Sequence, residues 1–372
     1  MPNPYANLGS EAFWKSGVLA SSPFSIDSIY KKKWDILAQD KIAVAGSCFA
    51  QHVSHYLRVA GFNVLDVEPP PHWLTLETDT KDAVKASIDP HLARTFGYSM
   101  YSARYGNIYT VHSLLQLAKE AFGLFQPRFA VWEKEGRFFD ALRPTVEPQG
   151  LDSIDEVVIH RNAHLNKVRE MFRCMDVFVF TLGLTEAWIH GPSNTVYPTA
   201  PGIVAGSFEP NRFAFKSYGF GEILDAFQEF DELLRVHRED PRPARILLTV
   251  SPVPLTATAS GKHVLQATSY SKSVLRSVAG DLESRCPHID YFPSFEIVTN
   301  PASRGVFYQE NLRTVRADAV EVVMRHFFRE HRRLVHGGPN PADTRMDFEL
   351  GTEVHDECDL QCEDILLESF DR

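Results

Sequence analysis

Residues 41–67 read KIAVAGSCFAQHVSHYLRVAGFNVLDV, and the fold is decided here. Lys41 to Ala45 is a short, almost continuous apolar run of the kind a strand shows when both its faces are covered, and Phe49, Val53, Tyr56, Leu57 and Ala60 follow at helical spacing. Gly46-Ser47 joins the two, and Phe62 to Val67 reads as a second strand, so the stretch is a β-turn-α-β unit. Ligands of an open parallel sheet gather outside the carboxyl ends of its strands, and Ser47 falls at such an end.

Working outward, buried-strand runs at Val177 to Leu182, Ile246 to Val250 and Ile289 to Phe292 alternate with helical patterns at Asn162 to Phe172, Gly219 to His237, residues 271–286 and Ala317 to Phe328. This alternation predicts an α/β fold with a doubly wound parallel sheet. Residues 1–40 form an N-terminal extension and 41–336 one domain with an insertion at about 69–160. Within that insertion YGNIYTVHSLL looks like a glycine turn into a helix, whereas Phe129 to Pro148 has no clean period. From 337 to 372 the chain is acidic and reads as a disordered tail.

Composition narrows the function. The formal net charge of −10 argues against nucleic acid or an anionic membrane as the main partner, because phosphate neutralisation calls for a concentrated basic face. No window approaches the roughly 18 to 20 apolar residues of a membrane span, and the N-terminus has no basic stretch followed by an apolar run, which suggests a cytoplasmic protein. Five scattered cysteines fit a reducing compartment. Cys358 and Cys362 lack a matching His or Cys pair, so neither a metal nor a cofactor is expected.

Gly46-Ser47-Cys48-Phe49-Ala50 is similar to the signature of the GSCFA family, and TLGLTEAW, LTVSPVPL, SYSKSVLR and YFPSFEIV resemble further blocks of that family in the same order, from about Lys41 to Phe328. The resemblance implies a fold like that of the SGNH esterases, a three-layer architecture with insertions. It also implies a serine ester hydrolase or O-acyltransferase acting on a small-molecule or glycan ester. The rival reading keeps the architecture as a catalytically inactive binding or scaffold domain.

The residues themselves support a nucleophile at Ser47. A serine between strand and helix presents its hydroxyl at the sheet edge, and the amides of Ser47 and Cys48 lie where the positive end of the helix dipole stabilises an oxyanion. The bland alternatives are an N-cap for Ser47 and simple packing for Cys48. By the resemblance, oxyanion donors come from Gly106-Asn107 and from the loop of Gly183, Thr185 and Glu186, although these glycines also suit tight turns. SGNH enzymes carry Asp-x-x-His before the last helix, and this chain has Asn311 and Thr314 there, so the base must come from elsewhere. His263 in the loop after SPVPL is the first candidate, with Glu296 to orient it or act itself. The plain readings are a surface histidine and a salt-bridged glutamate. Arg104, Arg276, Arg304 and Arg313 read as anion contacts or surface ion pairs. Ser269-x-x-Lys272 lacks the partner motifs of the enzymes that use that spacing, and Lys272 at a helix start is expected to be exposed.

Overall fold

Four parallel strands form the central sheet of the structure, a computed structural model that describes residues 3–71, 75–77, 86–88, 90–331 and 367. The strands are Ile42–Gly46, Val177–Leu182, Arg245–Val250 and Ile289–Tyr291, and their order across the sheet is their order in the chain. Register runs Ile42 with Val177, Ile246 with Phe178 and Ile246 with Ile289. The first and second strands are buried along their whole length, which is why they read as unbroken apolar runs. The acidic tail, with Cys358 and Cys362, lies outside the described residues except for position 367.

Helices flank the sheet. Right-handed crossovers that keep stepping in one direction lay their helices on one face. Ile154–Cys174, Phe220–His237 and Val264–Arg285 accordingly pack in series, with Val111–Ala121 against the first two. The helix Phe49–Val59 steps the other way and packs against the closing helix Ala317–Glu330.

The expected strand at Phe62 to Val67 does not form. Residues 63–65 touch the sheet through one bridge, with Ile42 N–H donating to Asn63 O (3.0 Å) and Leu65 N–H to Ile42 O (2.8 Å). Beyond that point the margin of the first strand is already taken. Ser102 Oγ accepts from Val44 N–H (2.9 Å), and Ile108 N–H donates to Gly46 O (2.8 Å). The chain at Val67 turns away to bond Ser102 O instead.

The insertion holds more order than its sequence period suggests. Val131–Lys134 and Arg137–Asp140 form an antiparallel hairpin whose turn, Glu135-Gly136, has positive φ at both residues. A second antiparallel sheet of Glu186–His190, Thr195–Tyr197 and Phe213–Ser217 follows the second core strand. At the other margin of the sheet, the segment read as an extension packs Tyr30 and Ile36 into the core. Tyr30 OH and Lys33 N–H both donate to Asp290 Oδ2 at 3.0 Å, and Lys33 Nζ donates to Ile289 O (2.9 Å).

The helix after Ser47 carries a pH liability. Burial, then the nearness of His55 and Arg94, holds the His52 imidazole down at about 4. An unfolded chain protonates that ring at about 6.5. Between those values the unfolded state binds the extra proton, so stability present above pH 6.5 is lost as pH falls toward 4, on the order of 3 kcal/mol for this residue. Urea midpoints at pH 7.5, 5.5 and 4.5 should fall less steeply for His52→Phe than for the native chain; equal slopes would remove His52 from the account.

Candidate functional site

The site is built around Gly46, the last residue of the first strand. Its φ is +139°, and a Cβ there would lie 2.5 Å from Thr181 O and 2.7 Å from Thr181 N. Only glycine lets the two strands approach so closely just before the chain turns into the helix. Ser47 follows with 2% of its surface exposed, and its Oγ has no hydrogen-bond partner. The helix caps itself from Cys48 without a side-chain bond, so the hydroxyl of Ser47 is not an N-cap. Cys48 is buried. The Ser47 amide is spent, donating to Thr181 O at 3.2 Å, which removes it from the oxyanion donors that the sequence suggests.

Gly106-Asn107 lies beside this serine. Gly106 has φ of +68°, which lets the chain double back under the first strand. Asn107 Oδ1 accepts from Tyr101 OH and from Gln51 Nε2 (3.3 Å), and Tyr101 OH also reaches Ser47 O at 3.2 Å. These bonds fix which end of the Asn107 amide is the acceptor. Neither Tyr101 nor Gln51 stood out in the sequence, although Gln51 follows Ser47 by four residues and so shares its helix face.

The loop after the second strand closes the other side. A Cβ on Gly183 would lie 3.0 Å from both Ser47 Cβ and Tyr109 O. The amides of Gly183 and Leu184 both donate to Tyr109 O, at 3.1 and 3.0 Å, so they hold the loop in place and do not face a ligand. Thr185 N–H donates to Ser271 Oγ (2.9 Å), and Thr185 Oγ1 is 3.4 Å from Ser217 Oγ. Glu186 accepts from Thr258 Oγ1 at 2.9 Å, and burial raises its carboxyl pKa against that bond. Ser251, at the end of the third strand, is on the same edge and donates its amide to Leu182 O.

Neither candidate base is engaged with Ser47. His263 is exposed at the N-cap of Val264–Arg285, and its Nδ1 accepts from Leu265 N–H (3.1 Å), answering a helix-end amide. Glu296 is tied to Arg276 Nε (2.5 Å) and Tyr291 OH (2.7 Å), the plain salt-bridge reading. Asn311 and Thr314 satisfy each other in an exposed turn. Arg104 is buried and bonded to Phe96 O, Val146 O and Glu147, so it is neither a surface ion pair nor an anion contact.

Lys272 reverses its expectation: 3% exposed, it donates to Gly183 O at 2.7 Å. Ser269 bonds Leu265 O instead, so the Ser-x-x-Lys spacing brings no pair together. The signal for burial was the helical stripe Lys272, Leu275, Ala279 and Leu282. His112, also unmarked in the sequence, stacks on Tyr218 with ring centroids 3.5 Å apart, and burial brings its pKa down to about 4.

Among the described residues no helix is long and apolar enough to cross a membrane. No curated protein matches the chain. The family model of the GSCFA family matches residues 41–327, most of the chain, and the protein thus belongs to the GSCFA family.

Proposed function

We propose that the protein is a cytoplasmic serine ester hydrolase or O-acyltransferase on an SGNH-like scaffold, with Ser47 as nucleophile and a small-molecule or glycan ester as substrate. The Ser47 hydroxyl carries this reading: it lies at the carboxyl edge of a parallel sheet beside a helix N-terminus, buried and bonded to nothing. A buried hydroxyl left without a partner costs about 1–3 kcal/mol, and such a cost is tolerated where the group has work other than folding. Oγ attacks the ester carbonyl, the acyl group passes to the serine, and water or an acceptor hydroxyl removes it. Asn107, oriented by Tyr101 and Gln51, is the side chain assigned to the developing oxyanion. Substrate reaches the closed serine when residues 183–185 or 106–109 part.

A domain that binds without turnover is the second reading, favoured by the closed serine and by the engagement of His263 and Glu296 elsewhere. A serine-directed fluorophosphonate separates the two. The native chain should label at one site, and Ser47→Ala should lower labelling to background. The same substitution should leave the thermal midpoint unchanged or raised, since it removes an unsatisfied polar group. A native chain that refuses the probe, or a Ser47→Ala chain that labels equally, would give first place to the binding domain.

A further inference from the structure

The geometry points to Lys272 as the general base for Ser47, an inference that rests on the nucleophile reading above. The two side chains lie against the same residue. Lys272 Nζ is 2.7 Å from Gly183 O, and a Cβ on Gly183 would sit 3.0 Å from Ser47 Cβ. Both are at least 97% buried, on the edge where the strand carboxyl ends meet. Such burial is unusual for lysine, which is almost never fully buried unless paired.

The helix that bears Lys272 is anchored to this loop by its neighbour as well. Ser271 Oγ accepts from Thr185 N–H at 2.9 Å, so consecutive side chains grip residues 183 and 185. That fixes the amine against Gly183 with little rotamer freedom; Ser47 Oγ has no partner in this closed state, so the contact for proton transfer forms when the substrate enters. Three other ionisable groups of this edge are engaged elsewhere: Glu186 accepts from Thr258, Glu296 pairs with Arg276 and His263 caps its helix; His112 stacks on Tyr218 with its Nδ1 unbonded and is the rival that the test includes.

In the reaction, the neutral amine of Lys272 takes the Oγ proton as Oγ bonds to the ester carbon and the carbonyl electron pair moves to oxygen. Collapse of the tetrahedral species breaks the bond to the alcohol, which leaves with the proton from the ammonium. Water or an acceptor hydroxyl then attacks the acyl-serine, the amine takes its proton, and Ser47 departs and is reprotonated. A lysine serves as base when its surroundings favour the neutral amine.

The test compares fluorophosphonate labelling rates of the native chain, Lys272→Arg, Lys272→Met and His112→Gln, with thermal midpoints as a check on folding. Arginine keeps a cation for Gly183 O but does not give up its proton, so a merely structural cation survives Lys272→Arg and a base does not. Labelling at Ser47 should fall at least 100-fold in both Lys272 variants and stay near the native rate in His112→Gln. The native rate should also keep rising above pH 7.5, where a histidine base with the ordinary pKa of about 6.5 has levelled off. Native-like labelling in either Lys272 variant, loss in His112→Gln, or a native profile flat above pH 7.5 would overturn the assignment while leaving Ser47 as nucleophile. Should the Lys272 variants fail to fold, the native pH profile and His112→Gln still decide. A native chain that does not label at Ser47 sinks the nucleophile reading itself, and the assignment with it.

Discussion

Gly46→Ala should cost the fold more than about 4 kcal/mol, or yield no soluble protein, although it adds a single methyl group. The new carbon would sit 2.5 Å from a backbone oxygen and 2.7 Å from a backbone nitrogen of Thr181, and neither can swing away as a side chain would. Gly46 pairs with Thr181 in the parallel ladder, so relief means prying apart the first and second strands at their carboxyl ends. The backbone angle of +139° adds strain for any residue with a Cβ. Gly221→Ala is the matching control: nothing lies within 4 Å of its added carbon, and the site is exposed near a helix start. That change should be neutral or stabilising by up to about 1 kcal/mol. Urea unfolding of both variants checks the contrast, and a Gly46→Ala chain with a native midpoint would mean that the turn before Ser47 can relax.

Arg161→Met should be the most damaging change away from the site. Arg161 lies in Ile154–Cys174 and reaches Glu120 of the helix Val111–Ala121, and its Nη1 is 3.0 Å from each oxygen of Asp140 on the hairpin. Burial works against the Asp140 carboxylate, yet Arg161 and Arg143 hold its pKa down to about 2, whereas for Glu120 burial outweighs Arg161 and the pKa is raised. Removing the shared cation strands the buried Glu120 and leaves Asp140 to Arg143 alone, a loss of about 3–5 kcal/mol. The sign of its pH dependence follows from Glu120. Without Arg161 its pKa rises further, the folded state takes up a proton that the unfolded state does not, and the loss should be smaller at pH 5 than at pH 7.5. Adding Glu120→Gln should recover part of the loss at pH 7.5. Equal losses at both pH values would assign the cost to packing.

The parts of the fold legible in the sequence are those in which local pattern and burial agree. A strand covered on both faces must be apolar throughout, so Val177–Leu182 and Arg245–Val250 were visible within a residue. Phe62 to Val67 misled because its competitor for the sheet margin, the segment around Ser102, lies some forty residues away and carries no strand pattern of its own. At the site, the placement of Ser47, Asn107 and Gly183 was legible, since each lies at a turn beside a core strand. The base was not. His263 has the right chemistry, but an open helix end claims it, and Lys272 was dismissed by the general habit of its residue type when its own helical register put it inside.

The two flanks of the sheet have a bearing on how the protein behaves in crowded solution. A strand at a margin offers a template for fibrillar growth, and folded proteins meet this with covering loops and charged side chains. Here Asn63, Leu65, Ser102 and Ile108 cover the peptide groups of Ile42, Val44 and Gly46, while Lys33 stands across the carbonyl of Ile289 with a charge that an incoming apolar strand would have to bury. Edge-to-edge polymerisation of the native molecule is thereby opposed on both sides. Aggregation through the central sheet has to start from molecules in which the loop at Ser102 or the strap at Tyr30 has first come away.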